Sequence, residues 1–547
     1  MTDYVWDAGG DGTSWNDDDN WGGSGHPNSN ADKATIGVGS ASISMNLAGG
    51  TGTIGELVLG NGFSGTVTQA YGFTIDDAGA QNGYMTINGG TWDMNNVNLI
   101  VDAVLTVQPN STAGSTNHSN FYARGGDLTV GSKIHCQGVW SSGDGDYVPE
   151  ANFDGGSSTI SCIALFIVAG ADVVMSSDVT TITGSAGGAA FRLDSQTGYN
   201  TYSNGTGTVK FTSASDQLLY SAGQVANGFT QFHDLILEKT SSTLQGLSSV
   251  GFHIKVGGDL TITSGILNTT TTTAVDHDLT VTGKTSVSGT LTCNASDITL
   301  GTGKTDGWAL SIGTTGTFTG GGGTHIIGSI STTAWGSPSI TLSSGATTIN
   351  SKYISNGYSI NCAAGTTFAH GGGSVIMTYA GSTLIQFSGG TLAFNDFEYN
   401  ASGHTLTLES PISCAGDLYA NAGTIDTKSA ENNAITVTGE LKVNGANGIL
   451  TGQLSAIEVR NVLINSGGTF THNGVLTITG KSTDNDYAFE GAGTWTPSSS
   501  QRTTFTGAAG TYHVKSNDWN AITIVANAAA FYYFRPKSGT GITWNTY

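Results

Sequence analysis

The sequence predicts an all-β chain wound as a parallel β-helix, a β-solenoid with capped ends. Three observations predict it. Thr, Val, Ile and Leu alternate with polar residues over runs of four to six, so one face of each run points inward. Turn residues break these runs mostly every ~8–12 residues. Strand-sized units then recur along the chain, as in stacked-coil proteins.

The first 50 residues stand apart. Trp6, Trp15 and Trp21 sit among Asp7, Asp11, Asp17, Asp18 and Asp19, with Pro27 the one early proline. An open solenoid end exposes strand edges, so residues 1–50 read as a Trp/Asp-rich N-terminal cap. From 51 to 515 nearly every segment reads as a strand, for example Leu128-Thr129-Val130, Leu260-Thr261-Ile262-Thr263 and Val475-Leu476-Thr477-Ile478-Thr479. No amphipathic helix of ten residues is visible. A Gly-Asp-Leu-like strand start recurs at Gly55-Glu56-Leu57, Gly126-Asp127-Leu128, Gly258-Asp259-Leu260, Gly416-Asp417-Leu418 and Gly439-Glu440-Leu441. His233-Asp234-Leu235 and His277-Asp278-Leu279 are variants.

A longer duplication relates about 205–290 to 371–445. Gly207-Thr208-Val209-Lys210-Phe211-Thr212 matches Gly373-Ser374-Val375-Ile376-Met377-Thr378, and Phe232-His233-Asp234-Leu235 matches Phe394-Asn395-Asp396-Phe397. Leu279-Thr280-Val281-Thr282-Gly283 matches Ile435-Thr436-Val437-Thr438-Gly439. Duplicated blocks whose units are single strands suit coils stacked at the ~4.8 Å strand spacing. The competing architecture is a string of immunoglobulin-like sandwiches, which calls for linkers between domains of ~100 residues, and none is visible. Residues 516–547 hold Phe531-Tyr532-Tyr533-Phe534, Trp544 and Tyr547, an aromatic C-terminal cap or docking segment.

Composition narrows the functional classes. Gly is 82 of 547 residues, about twice the usual share, and charged residues are 11% against a typical ~25%. Coiled coils and helical solenoids need more charge than that. Collagen needs Gly at every third position and much Pro, and Pro is 7. Lys+Arg 18 against Asp+Glu 40 gives a net −22, which repels nucleic acid and anionic membrane surfaces. No membrane insertion is expected. Met1-Thr2-Asp3-Tyr4 has no basic or apolar leader character, so the chain as written reads as made in the cytoplasm and soluble. A leader replaced by a start Met is the alternative.

Cys136, Cys162, Cys293, Cys362 and Cys414 are too few and too scattered for a disulfide framework. Each ends a triplet opened by Ile or Leu, which puts the thiol on the inward face as a small hydrophobe. The G-x-G-x-x-G runs at Gly50–Gly55 and Gly60–Gly65 lead into strands rather than the helix a dinucleotide site needs. Three Gly-Lys-Ser/Thr triplets, at Gly283, Gly303 and Gly480, lack the earlier glycine of a phosphate loop.

No catalytic residue is assigned. Glycoside hydrolysis needs two carboxyls about 5–10 Å apart, and the local candidates are Asp144, Asp146, Glu150 and Asp154, or Asp484, Asp486 and Glu490. Lyase chemistry wants a base beside an acid, as at Lys255 with Asp259 or Arg460 with Glu458. The two acidic clusters read first as solvated loops, and the lyase pairs are weaker candidates. No cofactor is required. Asp7, Asp11, Asp17 and Asp19 offer hard oxygens of the kind Ca²⁺ takes, though not at EF-hand spacing. Trp140, Tyr147, Trp308 and Trp335 are the aromatics that could stack on sugars, though a buried role is the first reading for each.

The stretch Trp6-Asp-Ala-Gly-Gly-Asp-Gly-Thr-Ser-Trp15, with Asn20-Trp21, resembles the Trp-Gly-Gly-x-Gly-Trp…Asn-Trp opening of Gly/Thr-rich β-solenoid proteins. These occur as autotransporter-type bacterial adhesins and as bacteriophage tail-fibre, tailspike or decoration proteins. The resemblance implies a rigid, exposed surface element, and among phage spikes a homotrimer. It carries over no catalytic residue. Without a leader or a C-terminal membrane barrel, the expectation is a non-enzymatic virion protein assembled in the host cytoplasm. Its partners would be other virion proteins and host surface polysaccharide. A tailspike depolymerase and a secreted or cell-surface adhesin are the alternatives.

Overall fold

In a computed structural model, the chain forms parallel stacked coils of β-strands, a β-solenoid. It describes residues 2–525 except 24, 47–50, 79–80, 110–117, 142–145, 148–150, 169, 195–201, 221–230, 248–252, 271–276, 446, 484–486, 497–502, 507–512 and 517–523. Among the described residues the one helical element is a single 3₁₀ turn, Asp18–Trp21. No helix there is long and apolar enough to cross a membrane. The chain divides into two compact units, Met1–Val281 and Thr282–Tyr547.

Each unit is held by ladders of like residues in register. In the first, Ile54, Ile75, Val101, Val130, Cys162, Ile182, Phe211, Leu237 and Ile262 follow one another rung by rung and are all buried. Coil length is set by the corners, from 20 residues between Cys162 and Ile182 to 32 between Val130 and Cys162. A separate seven-stranded sheet of this unit runs from Ile43–Met45 through Gly90–Asp93 and Ser119–Tyr122 to Tyr202–Ser203. Its inward residues include Trp92, Phe121 and Phe153, the last two stacked with centroids 5.4 Å apart. In the second unit the ladder is Leu300, Ile327, Ile349, Met377, Tyr399, Ala420, Val443 and Ile464. Alternation in sequence becomes burial because successive side chains of a strand point to opposite faces.

All five cysteines are buried, and none is in a disulfide. Burial pushes the Cys162 and Cys362 thiols up to about 12, and the other three higher still, so none is a thiolate at neutral pH.

The recurrent Gly-Asp-Leu start has a physical cause. The backbone N–H of Asp259 donates to Asp234 Oδ1 at 2.7 Å, that of Asp417 to Asp396 Oδ1 at 2.8 Å, and that of Glu440 to Asp417 Oδ1 at 2.7 Å. The carboxylate of one coil therefore reaches across to the next. A Cβ on Gly258, Gly416 or Gly439 would lie 2.1, 2.0 or 2.2 Å from that same oxygen. Glycine is needed there for close approach. The following Leu260, Leu418 and Leu441 are fully buried.

The duplicated blocks share a strand plan. Thr208–Phe211 pairs with the long strand Asp234–Leu247, and Ser374–Met377 with Asp396–Leu408. Both long strands break register in the middle and pair next with nine-residue strands, Leu260–Asn268 and Leu418–Asp426.

At the N-terminus, Thr2–Val5 pairs in parallel with Asp32–Gly39. The three tryptophans that follow are buried and packed edge to face, Trp6 on Trp21 at 5.0 Å and Trp15 on Trp21 at 4.8 Å. Within the aromatic C-terminal segment, only Ser516 and the short strand Ile524–Val525 fall among the described residues.

Candidate functional site

The acidic N-terminal loop is organised from inside by Asn20, whose side chain is fully buried. Its Oδ1 accepts from Gly10 N and Gly12 N, and its Nδ2 donates to Asp11 Oδ1 and Ser14 O. Asp11 Oδ1 also accepts from the Thr13 and Ser14 N–H groups, and its Oδ2 from the Ser14 hydroxyl. These bonds, the Ser14 hydroxyl first, hold the Asp11 carboxyl far below the usual range. Asp17 accepts from the Asp11 and Asp19 N–H groups, and Asp7 from that of Gly9. Three of the four candidate cation ligands thus bond the loop's own backbone. No three acidic groups of this loop bring their oxygens within 4.8 Å of one another.

Such a gathering does occur at Asp76, Asp77 and Asp102, the one group of its kind among the described residues. Ile75 pairs with Val101, so Asp76 and Asp102 follow on adjacent rungs at the same corner. Asp76 Oδ1 accepts from Ala78 N, and Asn30 Nδ2 reaches Asp76 Oδ2 at 3.4 Å. Burial, and then the neighbouring Asp76, raise the Asp102 carboxyl. The pair offers a shared proton or oxygen ligands for a cation. Spacing in sequence gives no hint of it, because the partners are 26 residues apart and meet only through register.

The four aromatic candidates fall in three places. Trp140 and Tyr147 are direct cross-strand partners in the short antiparallel ladder Trp140–Ser141 with Asp146–Tyr147. Trp335 lies in the loop between Ile330–Thr332 and Ser339–Thr341 and is 84% exposed. That loop is anchored by Ser337 N donating to Thr314 O at 2.9 Å. Trp308 is half-buried at another corner, with its ring 5.3 Å from that of Tyr353. Tyr353 had no sequence signal, since its loop reaches Trp308 from two coils away.

The remaining candidates stay apart. Asp154 Oδ1 accepts from Gly156 N and shapes a corner, while Asp144 and Glu150 lie outside the described residues. So do Asp484 and Asp486; Glu490 lies on the strand Tyr487–Gly491. The Asp146 backbone is placed by the ladder with Ser141. Asp259 belongs to the Gly-Asp-Leu ladder, with Lys255 on the preceding strand Ile254–Val256. Arg460 and Glu458 share the strand Ile457–Ile464 without an ion pair, and the buried Arg460 Nε lacks an acceptor.

One buried cation was not signalled by the sequence. Lys239, fully buried, donates to Ser213 O, Ser215 O and Gln217 Oε1 at 2.7–3.0 Å. Burial draws its pKa down to about 8. The three acceptors use all three ammonium protons, which marks a structural role.

Compared with known proteins, the chain matches no family model, no curated protein and no solved structure.

Proposed function

We propose that this protein is a non-enzymatic structural component of a bacteriophage virion, a rigid fibre, spike or head-surface element that touches host surface glycans. The observation that carries the reading is the fold, coils locked by backbone pairing and in-register core ladders, with polar side chains on the outer faces. The Trp6–Trp21 opening adds the likeness to surface solenoids, and Trp335 presents an indole to solvent at a corner.

Mass spectrometry of gradient-purified particles, beside the washed host envelope, tests the assignment. Recovery at fixed copy number in particles is expected, with few copies for a spike and many for a head decoration. Recovery in the envelope alone would make the protein a bacterial surface adhesin.

A second reading, a tailspike depolymerase, is favoured by one observation. Asp76 and Asp102 are neighbouring carboxyls on stacked coils, and burial raises Asp102 in the direction a general acid requires. New reducing ends from host polysaccharide, lost in Asp102→Asn, would establish it.

A further inference from the structure

We infer that one corner of the second unit, built from Trp308, Tyr353 and Tyr379 with Lys284, Lys304 and Lys352, binds an anionic saccharide. This deepens the glycan-contacting reading above and rests on it.

The first argument is charge. Residues 282–395 contain three lysines and two aspartates, Asp297 and Asp306, with no Arg or Glu. The rest of the chain holds 15 basic against 38 acidic residues. The formal charge of this stretch is not negative, and its three lysines converge on one corner.

The second argument is placement. The strands Ile298–Leu300, His325–Ile327, Thr347–Ile349 and Ser374–Met377 stack in one column. The strands Leu310–Ile312, Ile330–Thr332, Tyr358–Cys362 and Thr383–Phe387 stack in the next. The corner between these columns carries Trp308, then the tight Gly328-Ser329 turn, then Tyr353, then Tyr379. Over these three coil steps the strip runs ~15 Å along the stack, since strands repeat at ~4.8 Å.

The third argument is construction. The 350–357 loop folds back across the Gly328 coil onto the 301–309 loop. Ser351 Oγ donates to Lys304 O at 2.5 Å, and Ile354 N to Thr305 O at 3.0 Å. The loop is closed on itself by Tyr353 N to Tyr358 O and Gly357 N to Tyr353 O. The short Gly328-Ser329 turn shows that a coil can close without these extra residues. They order two aromatic rings at the surface, with Ile354 62% exposed beside them.

The lysines edge this strip. Lys352 Nζ lies 5.6 Å from the Tyr379 ring centroid and donates to Ser382 O at 2.7 Å. Among the described residues no carboxylate pairs with it. Lys304 pairs with Asp306, which is 74% exposed, and Lys284 packs its Cε against Gly307. Aromatic faces for the apolar side of sugar rings, with ammonium groups for carboxylate, sulfate or phosphate substituents, are what an acidic polysaccharide requires.

The test immobilises polygalacturonate, polysialic acid, hyaluronate and dextran sulfate, with neutral dextran as reference, and measures binding of the full chain by interferometry. Binding to at least one anionic polymer above dextran is expected. It should weaken as salt rises from about 0.05 to about 0.5 M. Lys352→Gln and Tyr353→Ala should each weaken it about tenfold, the scale of one lost 1.4 kcal/mol contact. Lys442→Gln, a lysine of the same unit outside this corner, should leave it unchanged. Lys352→Gln removes a half-exposed cation without opening the core, so the test does not depend on the Tyr353 variant folding. Binding to none of the four, or binding untouched by both variants, overturns the proposal. If particles still adhere to host cells when the corner is altered but not when Trp335 is, the corner fails and the function stands. If the protein is absent from particles but binds in vitro through the corner, the reverse holds.

Discussion

At the scale of single residues, the molecule is governed by what the next coil places about one strand spacing away. Gly416 shows this most sharply, because Asp396 Oδ1 occupies the place of its missing Cβ while accepting the Asp417 N–H. Gly416→Ala forces either the methyl or the carboxylate aside and should cost about 2 kcal/mol, in the range of other overpacking changes. Asp396→Ala alone loses the hydrogen bond to Asp417 N. In Asp396→Ala/Gly416→Ala the clash is gone, so the double variant should be more stable than the two single costs predict. Urea unfolding of the four proteins checks this, and simple additivity would show that the glycine is there for another reason. The repeated Gly-Asp-Leu was plain in the sequence, whereas its cause was not. Nothing in a string of letters says that the carboxylate of one repeat sits against the glycine of the next.

At the scale of elements, strands were legible and their neighbours were not. Period-two alternation reports which side chains point inward, so the Ile54–Ile262 ladder and the five buried cysteines followed from residue type alone. What meets at a corner depends on coil length, which varies with every loop. Asp76 with Asp102, and Trp308 with Tyr353, were therefore invisible, and Trp335 could be named but its 84% exposure could not be foreseen. The two long bent strands carry the same lesson. Asp234–Leu247 and Asp396–Leu408 break register at equivalent places, yet the first buries Lys239 where the second has Ala401. In the first copy the ammonium satisfies Ser213 O, Ser215 O and Gln217 Oε1. Lys239→Met keeps the volume and leaves those acceptors bare, and should destabilise the protein by about 3 kcal/mol. Ala401→Ser on the second copy, where no such cage depends on the side chain, should shift stability far less. Thermal unfolding of both variants distinguishes a structural cation from a dispensable one.

At the scale of the whole molecule, charge and burial pull in opposite directions as pH falls. The chain carries a formal −22 at neutral pH, and acid relieves that repulsion. Buried histidines oppose the gain. His325 is fully enclosed in the second unit, its ring 5.9 Å from that of Phe318. Burial lowers its pKa to about 4, against 6.5 when unfolded, with the Gly320 backbone and then the Asp297 charge partly offsetting the effect. His472, beside Phe470, is lowered for the same reason. A histidine depressed by folding stabilises the native state in its neutral form. Its contribution is complete above about pH 6.5 and is lost progressively as pH falls toward 4. For His325 that loss amounts to about 3 kcal/mol. Calorimetry between pH 7 and 4 should show a transition that falls in temperature across this window. In His325→Leu the fall should be smaller, because an inward leucine has no proton to take up. If the variant and the parent lose stability in parallel, the histidine is not the seat of the acid sensitivity.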